Sequence, residues 1–145
     1  MTGPDFPRLT PDNHRVTSPP TTDYNCIAWA ADDTERWWEP GVYWPIPATG
    51  YGPDALEAAF AALGFEPCPD GTDEAGWVKV ALYAAGAFAT HAARQLPGGT
   101  WTSKLGRRED IEHDTADAVA GGVYGEVFRY LRRRTTAPPP RPVAR

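Results

Sequence analysis

The chain has 145 residues, 41% of them hydrophobic, which supports a single domain around one core and leaves little room for a second. Its net charge of -5 creates a field that repels phosphates, so nucleic acid is not expected as the main partner. No stretch approaches the roughly twenty apolar residues needed to cross a bilayer, and the N-terminal MTGPDFPRL has no apolar signal core. A cytoplasmic protein with no membrane partner is therefore expected, with Cys26 and Cys68 as reduced thiols.

Residues 1–22 carry prolines at 4, 7, 11, 19 and 20 with little apolar periodicity, and read as an extended leader that does not carry the fold. The segment from Cys26 to about Arg36 reads as a short helix capped by Asp23 or Asn25 and stopped by the prolines that follow at 40, 45 and 47. PDALEAAFAALG predicts a second helix: Pro53 suits its first turn, Leu56, Phe60 and Leu63 share one face, and Gly64 ends it. From WVKVALYAAG onward the pattern becomes strand-like. ATHAARQL follows a break at Gly86, Gly98-Gly99 joins it to TWTSKLG, and VYGEVFRYLRR reads as a closing strand after one helical turn over Asp114 to Ala120.

Helices followed by antiparallel strands predict an α+β domain over residues 23–134, N-terminal helices packed on a β-meander, with a flexible proline-rich tail over 135–145. The basic run Arg132-Arg133-Arg134 reads as a solvated strand end.

The chemistry centres on one thiol. A thiol becomes a useful nucleophile when a helix N-terminus or an imidazole stabilises its thiolate, and Cys26 opens the first predicted helix while His91 opens a strand. A cysteine heading an early helix and a histidine heading a later antiparallel strand is the papain-like order. The segments YNCIAWA, THAARQL, WTSKLG, DIEH and VYGEV, in this order over roughly Tyr24 to Arg133, resemble a family of small bacterial domains of unassigned function. That family in turn resembles the NlpC/P60 and papain-like cysteine hydrolases.

The resemblance implies a papain-like, NlpC/P60-like fold, Cys26 as nucleophile and His91 as base, acting on an amide or related acyl bond in a peptide-like substrate. The third group of such a site is expected on the strand after the histidine. TWTSKLG offers no Asn, Asp, His or Gln. A three-residue turn over Pro97 to Gly99 would put Ser103 on the face of His91, whereas a two-residue turn would put Thr102 and Lys104 there. His113 lies a short loop further on, so Ser103 and His113 are the candidates.

Asn25, Trp29, Trp38, Trp44 and Lys104 are the candidate substrate-binding residues, the tryptophans walling a groove or packing as core. A second function fits the same residues: a catalytically inactive papain-like domain that binds a peptide or protein partner through its tryptophan surface. No cofactor is expected. Cys26, Cys68, His91 and His113 could supply four zinc ligands in number, but no closely spaced pair pre-arranges them. Cys68 in its proline-bracketed loop and His14 in the leader have no assigned role.

Overall fold

The computed structural model describes residues 5–47 and 50–135. In chain order the elements are β1 (His14–Ser18), α1 (Cys26–Ala30), α2 (Pro53–Ala62), β2 (Glu66–Cys68), β3 (Trp77–Ala85), β4 (Phe88–Gln95), β5 (Trp101–Lys104), β6 (Asp110–His113), a 3-10 turn (Ala116–Val119) and β7 (Glu126–Arg134). All seven strands join one antiparallel sheet in the order β1-β6-β5-β4-β3-β7-β2.

This corrects the expected fold class. The chain adopts a seven-stranded antiparallel sheet with two short helices, not the papain-like α+β arrangement of N-terminal helices on a meander. Two local causes account for the difference. The first helix ends at Ala30, where Asp32 turns the backbone left-handed (φ 64°) and the Asp33 N–H closes back on the Ala28 carbonyl at 2.8 Å, so the extension to Arg36 does not form. The leader, moreover, begins the sheet: His14–Ser18 pairs with β6, Arg15 opposite Glu112 and Val16 opposite Ile111, and so precedes both helices.

The central strands are buried almost without interruption because both faces are covered. Val80, Leu82, Ala92 and Leu131 face α1 and α2 and pack with Ile27, Leu56 and Phe60. Ala81, Tyr83, Ala93, Trp101 and Ile111 face the other way, where Phe6, Leu9 and the segment Ala116–Ala120 cover them. Phe6 and Leu9 are each only 3% exposed. The leader is thus built into the fold, a role its prolines concealed.

Two glycines mark the closest approaches of this second cover. A Cβ at Gly125 would stand 2.1 Å from the Ala84 carbonyl oxygen, and one at Gly122 would stand 2.2 Å from that of Asp5. The expected proline-rich tail falls on residues 136–145, outside the described residues apart from Thr135. Among the described residues, no helix is long and apolar enough to cross a membrane.

Candidate functional site

Asn25 begins the site by fixing where α1 starts. Its Oδ1 accepts the N–H groups of Ala28 (3.1 Å) and Trp38 (3.0 Å), and its Nδ2 donates to the Trp38 carbonyl (2.8 Å). Every polar atom of the side chain is occupied in capping the helix and tying down the tryptophan segment. Cys26 follows as the first helical residue, 8% exposed, its sulfur against the β4 backbone at 4.0 Å from the Thr90 carbonyl oxygen. Burial pushes this thiol up to about 11, while the N–H groups of Ala92 and Ile27, its own N–H and the Lys104 ammonium pull the other way.

His91 lies between the two β4 residues that flank the sulfur, but its side chain leaves from the other face. It pairs across the sheet with Tyr83 and stacks on Tyr124, ring centroids 3.9 Å apart and 6° from parallel. Its Nε2 is 2.9 Å from Ser103 Oγ, and its Nδ1 is buried with no hydrogen-bond partner among the described residues. Neither nitrogen bonds the thiol. The expected sulfur–imidazole pair is therefore not formed in this conformation, because strand alternation sends Ala92 toward Cys26 and His91 away from it.

Ser103 and His113 do meet His91. The β4–β5 loop is Pro97 to Gly99, bounded by the Leu96 N–H to Thr100 carbonyl bond at 2.7 Å, and this three-residue spacing puts Ser103 on the His91 face. Ser103 Oγ is 2.8 Å from His113 Nε2, and His113 Nδ1 is 2.7 Å from the Thr115 carbonyl oxygen.

The carbonyl end fixes the direction of the whole chain. A carbonyl only accepts, so His113 carries its proton on Nδ1; burial holds this histidine down at about 4, hence neutral, and its Nε2 accepts from the Ser103 hydroxyl. The hydroxyl has no second proton, so Ser103 Oγ accepts from His91 Nε2–H. His91 is held well below its usual value by burial and then by His113. It is neutral, and its Nδ1 keeps a bare lone pair.

The candidate substrate-binding residues have other duties. Trp38 is 3% exposed, with its indole N–H on Asp33 Oδ2 at 2.8 Å. Trp29 donates to Thr102 Oγ1 at 2.9 Å and stacks on Tyr24, and Trp44 packs edge-on to Trp38 and Tyr51 with its buried Nε1 unpartnered. Lys104 is fully buried, donating to the carbonyls of Gly106 (2.6 Å) and Arg108. Asn25, Trp38 and Lys104 each bury their polar groups in bonds to the chain itself, and for Trp38 this is the core packing expected as one of its two readings.

Two groups outside the candidate set also make defined contacts. Asp110 is fully buried and accepts from Ser18 (2.7 Å) and Tyr24 (2.8 Å), with its second oxygen unpartnered. Tyr124, beneath His91, sits in VYGEV without any local signal of that contact. A charge on Cys26 would be felt by Tyr51, Tyr124 and Lys104. Cys68 donates to the Asp70 carbonyl at 3.5 Å, and His14 bonds the Thr10 carbonyl in the leader. Among the described residues, no cluster of three or more His, Cys, Asp or Glu could hold a metal ion.

No curated protein and no solved structure matches the chain. One family does, over residues 15–132, from β1 to the end of the sheet, and the chain belongs to it: Domain of unknown function (DUF7689).

Proposed function

We propose that Cys26 and His91 are the reacting pair of a thiol hydrolase acting on an amide or related acyl bond. The observation that carries this reading is the bare Nδ1 of His91. A structural core histidine satisfies both ring nitrogens, whereas here one nitrogen is fixed by a one-way chain through Ser103 and His113 and the other is a buried base without a partner among the described residues. The residues on either side of that base, Thr90 and Ala92, are the ones whose backbone touches the sulfur.

The resting pair is neutral, so the chemistry is general-base rather than ion-pair in kind. The reaction needs the sulfur to leave the Thr90 carbonyl and reach the side on which His91 Nδ1 lies, where it attacks the substrate carbonyl carbon as its proton passes to that nitrogen. Collapse of the tetrahedral species returns that proton to the departing amine, and water then cleaves the acyl–sulfur bond with the same base. Ser103 and His113 position the imidazole through Nε2.

Incubating the protein with p-nitrophenyl acetate and locating the acetyl group by mass spectrometry tests this. Acylation at Cys26 is expected, slowed by about 100-fold in His91→Gln. Equal acylation of Cys26 in wild type and His91→Gln, or acylation of Cys68 alone, would overturn it.

A second reading has its own observation. The thiol is buried, raised to about 11 and free of imidazole contact, as expected of a small core residue in a non-catalytic domain that binds a peptide or protein partner. That reading predicts no acylation at Cys26 under any condition that preserves the fold.

A further inference from the structure

A cleft of about 410 Å³ opens where the segment before β3 faces the β4–β5 loop. Trp77, Val78, Leu96 and Pro97 supply apolar walls, and its volume lies in the range of small-molecule sites. Arg94 lines the same cleft.

The state of Arg94 is unusual for a guanidinium. Its side chain is only 19% exposed, and its Nε is buried with no hydrogen-bond partner among the described residues. Its one ion-pair contact there is Asp32, 3.9 Å away and itself 76% exposed. Below it lies the Trp29 ring, 5.5 Å from the guanidinium carbon, which offers a π face and no acceptor. Burial holds its pKa below the usual guanidinium value, and the distant Asp32 only partly offsets this. A cation held this far out of water with so little paired to it is costly unless a ligand supplies the anion.

The rest of the rim says which anion. Glu74 also lines the cleft, but its carboxylate is taken by Arg132 at 2.7 Å and Lys79 at 3.5 Å. Asp73 stands exposed at the mouth. With Glu74 already neutralised and the Trp77 ring covered by Arg132 and Arg134, the lining leaves Arg94 facing only the exposed carboxylate of Asp73, a balance that suits a monoanion better than a dianion such as a phosphate ester; a single carboxylate can meet the planar guanidinium fork with its apolar body against Leu96 and Pro97. We propose that this cleft binds a monocarboxylate bearing an apolar or aromatic body, with Arg94 as the carboxylate-recognising residue. The proposal is independent of whether Cys26 reacts.

Titration of the full chain with 3-phenylpropionate and with 3-phenylpropionamide, followed by two-dimensional NMR at the Trp77 indole and Gly98 amide, is the test. The acid is expected to saturate both signals, the amide to bind at least about tenfold more weakly, and Arg94→Gln to bring the acid down to the amide's level. Equal binding of acid and amide, saturation by neither, signals that move elsewhere, or a folded Arg94→Gln that binds undiminished would each overturn the proposal. Arg94 packs over Trp29, so the acid–amide comparison on the unaltered protein stands as the deciding measurement if the variant fails to fold.

Discussion

The two faces of the sheet solve the same burial problem with different materials. One is covered by two helices whose contribution is almost wholly apolar, Ile27, Leu56 and Phe60 being completely buried against Val80, Leu82 and Leu131. The other is covered by irregular backbone from both ends of the chain, and under it runs a hydrogen-bonded line from His91 through Ser103 and His113 to the Thr115 carbonyl. The difference teaches that regular structure is not needed to seal a sheet face, provided buried polar groups are chained to one another and closely approaching backbone is glycine.

The largest test of that comparison is truncation of one anchor on each side. Phe60→Ala on the helical face should cost about 3–5 kcal/mol in chemical denaturation, and Phe6→Ala in the leader should fall in the same range despite sitting outside any strand or helix. A loss below about 1 kcal/mol at Phe6 would show the second cover to be ornamental. Next in size is Ser103→Ala, which strands the Nε2 atoms of two buried histidines. A loss of about 2–4 kcal/mol is expected, counting roughly 1–3 for each orphaned group and some relaxation.

The smallest effect is set by acid. His113 sits at about 4 in the folded chain against about 6.5 when unfolded. Between these values the unfolded state binds the extra proton, so the stability is present above pH 6.5 and is lost as pH falls. His113 alone should remove about 2 kcal/mol by pH 5, His91 adding in the same direction. Thermal melting at pH 7.5 and pH 5 measures it, and in Ser103→Ala the acid sensitivity should persist, since burial and not the hydroxyl is its first cause. A wild-type melting point that does not change between these pH values would mean the two imidazoles are not held neutral.

How much of this was legible in the sequence follows from which interactions are local. The helix Pro53–Ala62 and the strands β3 and β4 were readable because periodicity, a starting proline and flanking glycines report on near neighbours. The loop length that decides between Ser103 and Lys104 was the correct question to ask, because register turns on one residue. The leader was misread because HRVTS carries little apolar signal by itself and becomes a strand only when DIEH, far along the chain, is beside it. The Cys26–His91 pair was placed by order along the chain, which fixes the neighbourhood of two residues but not the face each side chain takes. Arg94 gives no sign of its setting in the sequence, since the cleft that isolates it has no footprint in composition.

The pairing of β1 with β6 also has a kinetic meaning. Arg15 and Glu112, bonded at 2.6 Å, are 97 residues apart, so during ribosomal synthesis the first strand must wait for most of the polypeptide before its partner emerges. Until then Phe6 and Leu9 lack the part of their cluster that Ile111 and Ala116–Ala120 supply. The pairing of this segment is thereby a late clasp, one that fastens only after Asp110–His113 has been made.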